Sequence, residues 1–128
     1  MPLRRKLPHV FLICSDPAFC EELRKSFSAQ SDFVVCGTEK TGVKAIAKAL
    51  ELCPDLVIVE TGARRMVDGL LIGEAIKTAL PKVPLFLIAP KYSMQSEREA
   101  LARGIDAVFA KETDLTSLVS NARAVVGT

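Results

Sequence analysis

Glu60 closes the apolar run Leu56-Val57-Ile58-Val59, and Lys111 follows a second such run that ends at Ala110. Asp16 stands just beyond a third, His9 to Cys14, with Ser15 between them. A carboxylate can hold a hard cation, an ammonium can hold an anion, and the two together can form an ion pair. All three residues sit where a buried run gives way to polar residues. In an open parallel sheet that place is the crevice at the carboxyl ends of the strands, where ligands bind. Their chemistry depends on what stands beside them at the other strand ends.

The elements that must position these groups alternate along the chain. The first strand is His9 to Cys14. Asp16-Pro17 opens a helix to about Ala29, with Asp as the cap and Pro at the first helical position. Phe33 to Gly37 is the second strand, and a helix from about Thr41 to Leu52 is stopped by Pro54. Asp55 to Glu60 is the third strand; a loop with Gly62, Arg64 and Arg65 follows, and Asp68 caps a helix ending before Pro81. Pro84 to Ala89 is the fourth strand, and Ser93 caps a helix to Arg103, where Gly104 stops it. Asp106 to Ala110 is the fifth strand, and Thr113 caps the last helix. Helices between successive strands force parallel crossovers, so the class is α/β. Five such units in 128 residues predict a flavodoxin-like (βα)5 three-layer sandwich, with a parallel five-stranded sheet in the order 2-1-3-4-5.

Composition narrows the function. A length of 128 residues suits one domain, 1–128, with its core at about 8–126. A hydrophobic content of 49% fits strands buried on both faces. The longest apolar run, Val83 to Pro90, is far too short to cross a bilayer. The N-terminus is basic and lacks the apolar stretch of a secretory signal, so a cytoplasmic location is expected. Cys14, Cys20, Cys36 and Cys53 include no CxxC pair, and the chain has one His; free buried thiols are expected rather than disulfides or a zinc site. A net charge of +2 gives no argument for direct nucleic-acid binding, and Arg4, Arg5 and Lys6 read as a solvated tail.

Over about residues 8–126 the chain resembles the receiver domain of two-component response regulators (CheY-like). The resemblance is carried by Phe11-Leu12-Ile13-Cys14-Ser15-Asp16-Pro17, Asp32-Phe33-Val34-Val35-Cys36-Gly37 and Pro54-Asp55-Leu56-Val57-Ile58-Val59-Glu60. It continues through Met66-Val67-Asp68-Gly69, Ala100 to Ala107 and Ala110-Lys111, at the family's intervals apart from one extra residue between Glu60 and Asp68. The resemblance implies a site in which acids after the first strand and an acceptor aspartate after the third hold Mg²⁺. A hydroxyl residue after the fourth strand and a lysine after the fifth then bind the phosphoryl group. Here the acid pair aligns with Cys14 and Ser15, the acceptor with Glu60, the hydroxyl with Ala89 and the aromatic switch with Val108; only Lys111 is as the family has it. Phosphoryl transfer works by positioning and electrostatics, so loss of these parts together implies a degenerate, or pseudo-receiver, domain.

Two readings of Glu60 follow: a fixed charge imitating a phosphorylated aspartate opposite Lys111, or a structural ion pair in a vestigial pocket of Cys14, Ser15, Asp16, Ala89 and Lys111. No metal or other cofactor is expected; Asp16 and Glu60 are the residues through which Mg²⁺ would have to bind. Asp16 and Asp68 read as helix caps before they read as ligands. Arg64 and Arg65 read as a solvated loop over the pocket rather than an anion site. The expected function is a non-enzymatic signalling module acting through protein contact. Its partner would be a histidine kinase or an output domain or protein. The face from 93 to 126 corresponds to the one receivers use for dimerisation and partner contact. The alternatives are a phosphorylation-competent receiver with an atypical site, and a flavodoxin-like domain binding a small ligand. The last lacks the glycine-rich loop after a strand that it needs.

Overall fold

The structure, a computed structural model, describes residues 7–62 and 66–127. Five strands, β1 (His9–Cys14), β2 (Val34–Lys40), β3 (Leu56–Glu60), β4 (Leu85–Ala89) and β5 (Ala107–Ala110), alternate with five helices. The helices are α1 (Pro17–Ser28), α2 (Val43–Leu52), α3 (Met66–Ala79), α4 (Met94–Ala102) and α5 (Leu115–Val125). All strand pairs are parallel and the order is β2-β1-β3-β4-β5, as the strand count and crossovers predict. Among the described residues no helix is long and apolar enough to cross a membrane.

Side chains alternate across a strand, and both faces of this sheet are covered, so β3 and β4 are buried at every position. Val10, Leu12 and Cys14 of β1, Leu56 and Ile58 of β3, and Phe86 and Ile88 of β4 form one layer. That layer meets Phe19, Leu23 and Phe27 of α1, a stripe at four-residue spacing, and Leu118, Val119 and Ala122 of α5. The intervening residues, among them Phe11, Ile13, Val57, Val59, Leu85, Leu87 and Ala89, form the other layer with α2, α3 and α4. There Ala45 and Ala49 let α2 lie close to the sheet, while Leu70, Ile72 and Ile76 carry the buried face of α3. Because Leu56 and Ile58 face α1 and α5, the same two-residue period aims Glu60 into that layer.

Several boundaries differ from the sequence reading. β2 runs on to Lys40, past Gly37, and its register slips between Val10 and Phe11, where Gly37 rather than Cys36 opposes Phe11. At this edge strand the residues are exposed or half-buried, so the apolar pattern that marks buried strands is missing. α3 starts at Met66, which puts Asp68 in its first turn instead of at the cap. A negative charge there still suits the positive end of the helix. Asp114, not Thr113, caps α5, its carboxylate accepting from the Thr116 amide at 3.3 Å. Ser93 caps α4 as expected, within a capping box closed by Ser96.

No disulfide forms among the four cysteines, but they are not all buried: Cys53 is exposed. Arg4, Arg5, Lys6, Arg64 and Arg65 lie outside the described residues.

Cys53 ends α2 with φ +45° and ψ +62°, a left-handed conformation that L side chains resist. Glycine adopts it freely, although it also gives the unfolded chain more freedom. Cys53→Gly is therefore expected to raise stability by a net of about 0.5 kcal/mol, seen as a higher urea midpoint at unchanged slope.

Candidate functional site

The site lies at the carboxyl end of the sheet, where β1 and β3 stand side by side with Cys14 opposite Glu60. The ladder continues past the strands: the Ser15 amide donates to the Glu60 carbonyl at 3.2 Å, and the Lys111 amide to the Ala89 carbonyl at 2.8 Å. These bonds hold the β1–α1 and β5–α5 turns at the edge of the sheet, so Ser15, Asp16 and Lys111 arrive around the end of β3.

Glu60 is fully buried, with no exposed surface. Its Oε1 accepts from the backbone amides of Ser15 at 3.0 Å and Asp16 at 2.9 Å. The Ser15 hydroxyl lies 3.3 Å from Oε1 and 3.2 Å from Oε2. Lys111 Nζ stands 3.6 Å from Oε2, too far for a strong hydrogen bond but close enough to compensate the charge. Every one of these neighbours is a donor or a cation, which is the surrounding a buried ionised carboxylate requires.

Lys111 makes its short contact elsewhere, to Asp16 Oδ2 at 2.7 Å. It also lies 5.2 Å from the centre of the Phe19 ring, within cation–π range. Asp16 has two jobs: Oδ2 pairs with Lys111, while Oδ1 accepts from Ala18 at 3.0 Å and Phe19 at 3.4 Å and caps α1. The hydrogen bond from Lys111, then that from the Phe19 amide, hold the Asp16 carboxyl below its usual range. The same bond to Asp16, aided by the charge of Glu60, raises the Lys111 ammonium above its usual range although partial burial opposes this.

The structure therefore brings together Ser15, Asp16, Glu60 and Lys111. Cys14 is adjacent but points into the apolar layer under α1. Ala89 and Val108 are buried in the opposite layer, in the cluster that α2, α3 and α4 cover. Sequence reasoning missed Phe19, which forms a wall for Lys111; its place three residues after the capping Asp16 is the signal that could have found it. Thr61, also buried, was missed as well: its amide continues the ladder to the Ile88 carbonyl at 3.1 Å, and its hydroxyl lies 3.4 Å from the Gly62 carbonyl.

Mg²⁺ does not fit this arrangement. It favours several hard oxygen donors in near-octahedral geometry. The one buried carboxylate is enclosed by donors, and Asp16 is paired with an ammonium. The residues at positions 14 and 15 offer a thiol and a hydroxyl. Among the described residues no group of three or more His, Cys, Asp or Glu side chains could hold a metal. In place of a divalent cation, Lys111 supplies the positive charge between two carboxylates.

The doubly wound five-stranded parallel sheet, with Glu60 ending β3 and Lys111 following β5, has the flavodoxin-like topology of the receiver fold. No family model matches the chain. It is 32% identical over 96 residues to the response regulator protein VraR of Staphylococcus aureus (strain Mu3), an alignment covering 75% of this chain and 46% of that protein. The chain thus spans about half the length of the curated relatives it matches. The fold superimposes on the signal receiver domain of the response regulator NarL from Mycobacterium tuberculosis, with a TM-score of 0.83, 19% identity, and coverage of 97% of this chain and 100% of that one. CheY in the CheX–CheY–BeF3–Mg complex from Borrelia burgdorferi gives a TM-score of 0.83 at 17% identity, covering 94% and 90%. Over those 96 residues the chain is similar to a response regulator protein, and its fold is that of a signal receiver domain.

Lys111→Met removes the cation from Glu60 while the two amides remain, so the expected loss is about 1–3 kcal/mol in urea denaturation. The Asp16–Lys111 pair also fixes a pH dependence. The Asp16 carboxyl is depressed in the folded protein. Its contribution is complete above the ordinary value of 3.8 and is lost as pH falls below that through the lower folded value. Asp16→Asn keeps an N-capping side chain and removes the charge. Its stability deficit against the parent, followed by thermal melting, should be constant near neutrality and shrink below about pH 4.

Proposed function

We propose that this receiver domain signals without taking up a phosphoryl group, as a pseudo-receiver that works through protein–protein contact. The observation that carries this reading is the closed shell of Glu60. Phosphoryl transfer needs an accessible acceptor oxygen in line with the donor, and metal ions or fixed cations to stabilise the transferring group. Glu60 is fully buried and every neighbour of its carboxylate is already engaged with it. Ala89 brings no hydroxyl to the pocket, and Val108 no aromatic ring, so the residues equivalent to the receiver switch have nothing with which to sense a charge at Glu60. The longer glutamate side chain does not reach outward as a phosphoryl mimic would; it folds back onto the β1–α1 turn. The structural ion pair is the better supported of the two readings of Glu60.

Partner contact is supported by the face around α4, β5 and α5. Tyr92, Met94 and Leu101 are exposed there, and Tyr92 donates to Glu97 at 2.8 Å. The CheY relative named above is described in complex with a second protein, CheX. By the same reasoning this domain meets a histidine kinase, an output domain or protein, or a second copy of itself through residues 93–126. It does so in the cytoplasm as one domain that binds neither membrane nor nucleic acid.

The test is incubation of the folded protein with a small-molecule acyl phosphate and Mg²⁺, read by intact mass. No phosphoryl adduct is expected. A labile adduct on the parent that disappears in Glu60→Gln would establish a working acceptor and overturn the proposal.

A further inference from the structure

The layer beneath α1 contains two thiols that the phosphoryl pocket does not use. Cys14, the last residue of β1, belongs to the apolar cluster under α1 and α5, and Cys20, on the second turn of α1, packs against that cluster. Both line one surface pocket of about 290 Å³, which Pro17, Arg24, Thr38 and Lys40 help to form. Cys14 is buried and Cys20 partly exposed, so a reagent entering the pocket meets Cys20 first. Cys36 and Cys53 line no part of this pocket.

We propose that Cys14 and Cys20 are a redox-responsive dithiol, closing to an intramolecular disulfide when the domain meets a low-molecular-weight disulfide such as oxidised glutathione. The Cys20 thiolate attacks one sulfur of the reagent, forming a mixed disulfide and releasing one glutathione thiolate. Cys14 then gives up its proton and attacks the Cys20 sulfur, which forms the Cys14–Cys20 bond and expels the second glutathione. The protein loses two hydrogens and two electrons, and the reagent becomes two thiols.

The order of attack follows from the surroundings. Burial raises both thiols; the proximity of Cys14 and the charge of Arg24 partly offset the rise at Cys20, whereas Cys20, Glu60 and Asp16 raise Cys14 further. Glu60 and Glu21 oppose the Cys20 thiolate, so the exchange is slow at neutral pH and quickens in mild alkali. The consequence reaches the neighbouring site. Cys14 stands opposite Glu60 and immediately precedes Ser15, whose amide and hydroxyl hold the Glu60 carboxylate. Drawing Cys14 toward α1 moves that turn. The pair thus gives the domain an input that needs neither phosphoryl group nor metal, and it is independent of whether Glu60 accepts phosphate.

The test uses the unmodified folded chain. Cys14 and Cys20 fall in one tryptic peptide, Leu7 to Arg24, which contains no other cysteine. The protein is treated with oxidised glutathione at mildly alkaline pH, remaining thiols are alkylated, and the digest is analysed without reduction. The expected result is this peptide two hydrogens lighter than its reduced form and free of alkyl groups. Cys20→Ser should leave Cys14 reduced under the same treatment. Recovery of the peptide with both cysteines alkylated, while the exposed Cys53 has been modified, would overturn the proposal. A lasting glutathione adduct on Cys20 beside an alkylated Cys14 would do the same.

Discussion

The burial of one carboxylate at the centre of the strand ends is the constraint around which this site is organised. An ionised group removed from water must recover the hydration it loses, or the fold carries the deficit. Glu60 recovers it from the Ser15 and Asp16 amides, the Ser15 hydroxyl and the Lys111 ammonium. These donors come from two turns nearly a hundred residues apart in sequence. A residue at the end of β3 thereby ties the start of α1 to the segment after β5. Breaking any one of these contacts leaves the remaining charge in a place water does not reach.

Asp16 shows how closely local and long-range demands are joined here. One carboxylate oxygen caps α1, and the other binds Lys111 at 2.7 Å. The helix that presents Phe19, Leu23 and Phe27 to the sheet is thus capped by the residue that completes the ion triad. Phe19 closes the arrangement by lying beside the lysine. The contacts at the site are electrostatic and internal. Lys111 stands between two carboxylates, the place a divalent cation would need, and the pocket has no hydroxyl at Ala89 to register a change there.

The sheet also separates two sets of residues that the linear pattern groups together. Glu60 and Cys14 face α1 and α5; Ala89 and Val108 face α2, α3 and α4. Glu60 and the positions of Ala89 and Val108 therefore lie in different layers, linked through the backbone bond from Lys111 to Ala89. In a domain with a hydroxyl and an aromatic side chain at those positions, movement could pass between the layers. Here they hold an alanine and a valine, whose side chains pack in the apolar cluster and make no polar link.

Much of this was legible in the sequence because it depends on local rules. Runs apolar at every position marked β3 and β4 as strands buried on both faces, and Asp-Pro marked the start of α1. The alternation of strands and helices determined a parallel sheet and its order. The edge strand β2 was read short because Thr38, Glu39 and Lys40 carry no apolar signal and are held by the ladder from β1. Asp68 was read as a cap because a first-turn acid and a capping acid look alike without the backbone. The residues of the site were named from their places at strand ends. Only the tertiary structure decided that Lys111 lies closer to Asp16 than to Glu60, that Phe19 flanks it, and that Cys14 and Cys20 line one pocket. Those outcomes follow from how α1 docks on β1 and β3, and one-dimensional spacing carries no record of which rotamer points into the space between them.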